Sequence, residues 1–239
     1  MCIRDSIHIL NDFKLEIRKV YSLGSCTTEW LLKTFTKPLN NVVYVSANPW
    51  VRLVFKNSKF FKLIDDVSSK FWDSKLGTVK PEYVNLTAIK YLIRGENVIV
   101  HYLQPHPPFI IKTWLRDNES TRYLAGSKIY EIASICREAG REFKRAYVEN
   151  LKHVLKYVKK LVQTGLRLGY EIAITSDHSE LMGVYAPHIL FKILFRKNII
   201  RFLKRWIPYF IGCRKVYGHP CGWLSKELYE VPWVEINVL

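Results

Sequence analysis

The pattern of apolar and polar positions along the chain predicts short strands that alternate with helices. Apolar, β-branched runs bounded by turn residues predict four strands, the first three of buried character, at residues 42–45, 98–103, 172–175 and 231–236. Apolar residues at helical spacing predict helices at residues 28–35, 84–93, 129–138 and about 141–168. The last helix has an apolar stripe that fits packing on a sheet, made of Tyr147, Leu151, Val154, Val158, Leu161 and Val162.

This alternation predicts an α/β fold with a largely parallel sheet, because parallel neighbours need a crossover that is usually a helix. The chain has 239 residues and 49% hydrophobic content, enough for one domain with a full core, which we place at residues 20–239. Sheets of this kind bind ligands beyond the carboxyl ends of their strands. Polar clusters follow two predicted strands there, at residues 101–106 and 176–180.

The charge predicts an anionic partner. The 37 Lys and Arg residues against 21 Asp and Glu leave a formal charge of +16. Three kinds of partner carry the matching negative charge: a phosphorylated or sulfated substrate, an acidic membrane lipid, or a nucleic acid. The chain carries no RNA-recognition, zinc-finger or helix-turn-helix signature, so nucleic acid is the least favoured of the three.

One segment is both basic and apolar. Residues 188–214 contain no acidic residue, and we expect a helical excursion there. Residues 189–210 fit an interfacial helix that lies on an anionic membrane. A basic helix packed against the domain or a partner subunit explains the same composition.

The cysteines and the amino terminus bear on location. Five scattered cysteines without a Cys-x-x-Cys pair fit a reducing compartment best: Cys2, Cys26, Cys136, Cys213 and Cys221. No secretory signal and no membrane-spanning run is visible, so we expect a cytoplasmic protein, either free or peripheral at a membrane. The first six residues look like sequence joined on during cloning or assembly, and residues 1–19 are interpreted as a suspect leader and truncated start.

Asp177 and His178 follow a predicted strand, where a carboxylate and an imidazole can bind a divalent cation. A helix N-cap beside an exposed histidine is the plainer alternative. His106 lies in a loop with three prolines and His219 in a second turn-rich segment, so three histidine-bearing turns are available to one metal site. His101 lies inside an apolar run and is expected to be a core or supporting residue.

These segments resemble the alkaline phosphatase/sulfatase superfamily, and look closest to archaeal sulfatase-like proteins. Residues 174–183 resemble its Thr-Ser-Asp-His-Gly-Glu motif, with Ser179 in place of the glycine, and residues 104–109 resemble its Pro-His-x-Pro loop. The resemblance implies a three-layer sandwich with a mostly parallel central sheet. It also implies a divalent metal ion (Zn, Mn, Ca or Mg) bound by Asp177, His178 and His219.

By the same resemblance, the nucleophile caps a helix near the amino terminus, where free amides favour an anionic ester. Cys26 occupies the family's nucleophile position, and Thr27 and Ser25 are close competitors; a plain N-cap is the structural alternative. Thr28 and Trp30 replace the family's proline and arginine, which argues against conversion of Cys26 to formylglycine. His106 would bind metal, hold the ester or protonate the leaving group.

The implied function is a metal-dependent hydrolase or head-group transferase that acts on phosphate or sulfate esters through a covalent intermediate. The superfamily places acidic metal ligands on a first strand upstream of the nucleophile. That strand is missing here, which implies a truncated or degenerate site and an inactive fragment. The alternative function is a catalytically inactive sulfatase-like protein that binds an anionic glycan or lipid.

Overall fold

The computed structural model describes residues 16–56, 59–111, 137–185, 215–219, 221–222 and 224–236. It has a mixed α/β architecture. Its central sheet is parallel, with strand order β3-β2-β6, where β2 is Leu39–Ser46, β3 is Phe61–Asp66 and β6 is Asn97–His101. The predicted parallel sheet is thus confirmed for three strands, including β3, which the sequence pattern did not predict.

Helices connect these strands and begin with clear local signals. They are α1 (Thr27–Thr34), α2 (Pro49–Val54), α3 (Val67–Phe71) and α4 (Pro81–Leu92). Both α2 and α4 begin at a proline, whose fixed φ and missing N–H suit the first helical position. Asp66 caps α3 by accepting hydrogen bonds from the amides of Ser68 and Ser69.

Strand β2 lies at the centre of the core because both of its faces are covered. Val43 and Val45 pack towards α4, whereas Tyr44 packs towards α1 and α2. All three side chains are at most 1% exposed. Full burial of one such side chain stabilises the fold by roughly 1.5–3 kcal/mol.

A second sheet is antiparallel, with strand order β1-β10-β7. Its strands are β1 (Arg18–Tyr21), β7 (Ile172–Ile174) and β10 (Glu230–Ile236), and the short helix α6 (Lys226–Tyr229) precedes β10. Two antiparallel ribbons complete the strands: β4 (Trp72–Asp73) with β5 (Thr78–Val79), and β8 (Leu181–Tyr185) with β9 (Lys215–Gly218).

The long helix α5 spans Arg137–Arg167 and packs on α4. Its predicted apolar stripe is confirmed at its centre, where Tyr147 and Leu151 are each 1% exposed. Polar contacts fix its position: Asn85 Nδ2 donates to the carbonyl of Tyr157 at 2.9 Å, and the Tyr157 hydroxyl donates to Glu82 at 3.0 Å.

Several predictions need correction. The strand expected at 98–103 ends at His101, since Tyr102 turns to donate to Asn85. Strands β6 and β7 are half-buried rather than buried, because each has a neighbour on one edge only among the described residues. Strand β1 lies directly upstream of α1, where no strand was predicted, but its residues Arg18–Tyr21 include no acidic side chain.

Other predictions fall outside the described residues. These are the segment 188–214, with its membrane-facing residues 189–210, and the helix at 129–138 apart from its last two residues, which belong to α5. Within the parts of the chain that the structure describes, no helix is both long and apolar enough to cross a membrane.

Candidate active site

The amino-terminal end of α1 is held tightly in place. Gly24 packs so closely under the helix that a Cβ there would lie 2.3 Å from the amide nitrogen of Trp30. The amide and hydroxyl of Ser25 both donate to Glu29 at 2.8 Å, and the hydroxyl of Ser25 also accepts from the amide of Gly222. Ser25 is therefore engaged in holding the helix start.

Thr27, the first residue of α1, contacts polar side chains from the segments that follow two strands, β2 and β7. Its hydroxyl donates to Asp177 Oδ2 at 2.6 Å and lies 3.4 Å from His178 Nε2. It also accepts a hydrogen bond from Asn48 Nδ2 at 3.2 Å. We call this group the Thr27 cluster, and it consists of Thr27, Asn48, His101, Asp177 and His178.

Supporting hydrogen bonds orient each member of the Thr27 cluster. Asn48 Oδ1 accepts from the amide of Trp50 at the start of α2, so its Nδ2 is turned towards Thr27. The Nδ1 of His178 lies 2.9 Å from the carbonyl of Ser179, which places the proton on Nδ1 and leaves Nε2 as an acceptor facing Thr27.

His101 completes the cluster through Tyr44. His101 Nε2 faces the carboxylate of Asp177, which favours the proton on Nε2, so Nδ1 accepts a hydrogen bond from the Tyr44 hydroxyl at 3.0 Å. The distance from Nε2 to Asp177 Oδ2 is 3.7 Å. His101 is therefore a supporting residue, as the sequence predicted, and it acts on the site through its proximity to Asp177.

The charge state of the cluster follows from its burial and its partners. Burial alone would raise the pKa of Asp177, but His178, His101 and the Thr27 hydroxyl hold it well below its ordinary value. Burial lowers the pKa of His178 to about 4, against the opposing effect of Asp177. Near neutral pH the cluster thus holds an ionised carboxylate beside a neutral imidazole.

A second group, the His219 cluster, consists of His106, Glu180 and His219. One ligand atom from each lies within 4.8 Å of the others, which is close enough to hold a single metal ion. His219 Nδ1 lies 3.0 Å from Glu180 Oε1, and its ring centroid lies 4.7 Å from that of His106. The ring of His219 also lies 4.2 Å from that of His178, so the two clusters adjoin.

The loop that carries His106 is held from two sides. It contains cis peptide bonds at Gln104-Pro105 and Pro107-Pro108. Gln104 Nε2 donates to Thr78 and to the carbonyl of Val79, and the buried Asn150 of α5 donates to the carbonyl of Pro105 at 3.2 Å. His106 Nδ1 contacts the carbonyl of Pro107, which leaves Nε2 as its ligand atom.

The protonation states of the His219 cluster suit a cation. Burial would raise the pKa of Glu180, but the charge and hydrogen bond of His219 lower it to about 2. Burial, assisted by His219, lowers the pKa of His106 to about 4. The pKa of His219 is raised, because Glu180 outweighs burial. A metal ion would replace the His219 proton, and two imidazoles with one carboxylate form a donor set typical of catalytic zinc.

A disulfide joins the two clusters. Cys26 and Cys221, 195 residues apart, are bonded with their Cα atoms 5.1 Å apart. Cys26 precedes Thr27 and Cys221 follows His219 by two residues. Chain spacing in the sequence did not predict this pair, because it does not reveal the approach of two distant loops. It also leaves Cys26 without a free thiol to act as nucleophile, whereas the Thr27 hydroxyl faces Asp177 and His178.

The structure brings the remaining predicted site residues into one cavity, lined by Thr27, His106, Asp177, His178 and His219. It groups them differently from the predicted metal set, since His219 pairs with Glu180 and His106 rather than with Asp177. Two contributors were missed. Glu180 could have been found from the sequence, because it belongs to the motif at residues 174–183 that was recognised. Asn48 is marked in the sequence only by its place before Pro49, which is the pattern of a helix N-cap.

The chain matches no protein-family model, no curated protein and no solved structure at a significant level.

Proposed function

We propose that this protein is a metal-dependent hydrolase or head-group transferase that acts on phosphate or sulfate esters, with Thr27 as the nucleophile. The single observation that carries the proposal is the Thr27 hydroxyl, which donates to the ionised Asp177 and lies beside the neutral Nε2 of His178. A hydroxyl that has an adjacent acceptor for its proton is the usual arrangement of an activated nucleophile.

In the proposed reaction, Thr27 Oγ1 forms a bond to phosphorus or sulfur while the bond to the leaving oxygen breaks. The leaving oxygen keeps the electron pair and takes a proton from solvent. The Thr27 proton moves along its hydrogen bond to Asp177, with His178 Nε2 as the second acceptor. Water, or the hydroxyl of an acceptor in a transferase, then attacks the phosphorus or sulfur of the Thr27 ester. The bond from that atom to Thr27 Oγ1 breaks, Oγ1 takes back the proton held by Asp177, and the proton of the attacking water or hydroxyl passes to solvent.

The metal-binding part of the proposal rests on the His219 cluster. His106, Glu180 and His219 would hold one divalent ion beside the Thr27 cluster, so that Asp177 and His178 can accept the Thr27 proton. Such an ion lowers the pKa of a nearby nucleophile and neutralises charge on the ester oxygens. The net charge of +16 favours approach of an anionic ester.

The architecture is compatible with the finer fold prediction. A parallel sheet, a nucleophile at the start of the helix after β1 and an Asp-His pair after β7 form the arrangement implied by the resemblance to alkaline phosphatases and sulfatases. We therefore propose an alkaline-phosphatase-like sandwich.

The test replaces the nucleophile in the chain loaded with Zn²⁺ or Mn²⁺. Thr27→Val removes the attacking oxygen and should lower turnover of aryl phosphates or sulfates by at least about 1000-fold. Thr27→Ser keeps an oxygen at this position and should retain measurable activity. Mass spectrometry of acid-quenched enzyme should find one phosphoryl or sulfuryl group on Thr27.

Thr34→Val is the matched control for this substitution. Thr34 lies in the same helix and lines the same cavity, but its buried hydroxyl has no hydrogen-bond partner among the described residues. Its variant should keep full activity. Activity that survives in Thr27→Val, or a covalent adduct on any other residue, would contradict the proposal.

The metal arm of the test uses Glu180→Gln, which keeps the shape of the side chain but removes its charge. Zn²⁺ or Mn²⁺ should bind this variant at least about 100-fold more weakly than the unmodified chain, as measured by calorimetry and elemental analysis. Glu149→Gln, an exposed position on α5, is the control and should bind metal normally. Equal metal binding by Glu180→Gln and the unmodified chain would exclude the His219 cluster as the metal site.

A further inference from the structure

Strands β6 and β7 each have one edge without a neighbouring strand among the described residues. Strand β6 pairs with β2, and β7 pairs with β10, but no ladder joins β6 to β7. Both strands line the same cavity of about 1090 Å³, through residues 97–101 and 172–174. We call the space between these two edges the strand slot. The same cavity also contains the Thr27 cluster and the His219 cluster, so the slot is one part of it.

The two edges run in the same direction. At their carboxyl ends, His101 Nε2 and Asp177 Oδ2 lie 3.7 Å apart. At their amino ends, the Tyr170 hydroxyl donates at 2.9 Å to the carbonyl of Leu92, which ends the helix that precedes β6. A single extended segment could therefore run parallel to both strands and form ladders on both of its sides.

The burial of the strands indicates what is missing from the slot. Val43, Tyr44 and Val45 of β2 are at most 1% exposed, because a strand lies on each side of β2. The equally apolar Val98, Ile99 and Val100 of β6 are only half-buried, and Ala173 of β7 is exposed. A strand placed between them would complete the burial of both edges, as it does for β2.

Both faces of the slot are apolar. Val98 and Val100 belong to the cluster that includes Leu161 of α5, whereas Ile99 belongs to the opposite cluster, with Trp30 and Phe35. A strand buried on both faces has a continuous rather than alternating run of β-branched residues. This composition identifies the class of segment that fits.

We propose that the strand slot binds an extended polypeptide segment of continuous β-branched character, which inserts as a strand parallel to β6 and β7. Main-chain hydrogen bonds to the two edges supply affinity, as in other cases of strand addition, and the apolar faces select the side chains. The carboxyl end of the inserted segment reaches the Thr27 cluster. The proposal stands independently of any catalytic activity.

The probe is a capped peptide, Ser-Glu-Val-Ile-Val-Thr-Ile-Val-Glu-Ser, titrated into the full 239-residue chain. Fluorescence anisotropy should find saturable binding. Hydrogen exchange followed by mass spectrometry should find amides slowed by at least about 10-fold in residues 97–101 and 171–176. Residues 61–66 are strand β3, at the other edge of the parallel sheet, and their amides should exchange at the same rate with or without the peptide.

Two matched controls separate insertion from non-specific adhesion. A peptide with proline at alternate positions loses every amide donor of one of the two ladders and should bind at least about 10-fold more weakly. Ala173→Trp fills the slot from an exposed position and should weaken binding by at least about 10-fold. Leu63→Trp, the same change at an exposed position on the outer strand β3, should leave affinity unchanged. Circular dichroism should find both variants folded.

Three results would overturn the proposal. The first is binding that protects β3 or leaves β6 and β7 unprotected. The second is equal binding of the proline peptide, or no binding at all. The third is protection of residues 97–101 and 171–176 before peptide is added, which means that the slot is already filled. Sedimentation would then assign the occupant to a second copy, if the chain is dimeric, or to the chain itself, if it is monomeric.

Discussion

The Thr27 cluster and the His219 cluster share one cavity but are supported by different parts of the fold. In the Thr27 cluster, Thr27 begins α1 and His101 ends β6, whereas Asn48 lies just after β2 and Asp177 and His178 lie just after β7. In the His219 cluster, His106 lies in the loop after β6, Glu180 directly precedes β8 and His219 directly follows β9. The first cluster therefore lies at the ends of strands from the two three-stranded sheets, whereas the second depends on a loop and on the two-stranded ribbon of β8 and β9.

This difference teaches where each cluster is vulnerable. Regular elements fix side-chain positions through many backbone hydrogen bonds, and loops do so only through a few specific contacts. For His219 these contacts are the ion pair with Glu180 and the nearby disulfide at Cys221. We therefore expect the His219 cluster to respond to loss of the crosslink and the Thr27 cluster to respond to changes in its own hydrogen bonds.

The largest expected effect comes from removing the disulfide. Cys221→Ser opens a loop of 195 residues, and the chain-entropy model assigns such a closure about 5 kcal/mol. The free energy of unfolding, measured by urea denaturation, should fall by an amount of this order. Reduction of the unmodified chain should have the same effect.

The exposed position of Cys221 makes serine a mild replacement, and reducing agent provides the control. Cys221→Ser should be insensitive to it. Equal stability of the oxidised chain, the reduced chain and the variant would contradict a structural role for this bond. We also expect metal affinity to fall in the variant, because the His219 loop is no longer tied to the start of α1.

Acidification should have the next largest effect and should act on both clusters. Folded His106 and His178 have pKa values of about 4, whereas an unfolded histidine has a pKa near 6.5. Between these values the unfolded chain binds more protons than the folded chain. Metal-free protein should therefore lose a few kcal/mol of stability as the pH falls from about 6.5 to about 4.

Glu180 and His219 also change how the stability depends on pH. Glu180 has a pKa lowered to about 2, so its stabilising contribution is lost only as the pH falls from about 4.5 towards 2. His219 has a raised pKa and contributes stability that is present below pH 6.5 and lost at higher pH. His106→Asn should flatten the slope of stability between pH 6.5 and 4, measured by denaturation at each pH. An unchanged slope would exclude a buried neutral His106.

Much of the fold could be predicted from the sequence because apolar periodicity reports burial directly. The core strand β2 and helices α1, α4 and α5 begin and end within a few residues of the predicted limits. Strand β3 was missed because Phe61–Asp66 mixes apolar with charged residues, as an edge strand does. Half-burial of β6 was missed because an apolar run does not reveal how many neighbours the strand has.

The candidate site was predictable where residue type and strand position coincide, as for Asp177, His178 and Thr27. The sequence could not show which nucleophile candidate faces Asp177 and His178. Cys26 and Thr27 are adjacent in sequence, and only the direction of each side chain separates them. Glu180 and His219 meet across 39 residues, and Cys26 meets Cys221 across 195. Such contacts depend on the path of the chain through the fold, which local patterns do not contain.

The smallest expected effect belongs to Asn48 and isolates the Thr27 cluster. Asn48→Ser keeps an oxygen that can cap α2, but it removes the amide that donates to the Thr27 hydroxyl. In the metal-loaded chain, kcat should fall by about 5-fold, since a neutral hydrogen bond contributes roughly 1 kcal/mol. Zn²⁺ affinity should stay unchanged, because the His219 cluster is intact, and the free energy of unfolding should fall by only about 1 kcal/mol, because the helix cap is kept. Loss of metal affinity in this variant would mean that the two clusters are one coupled site.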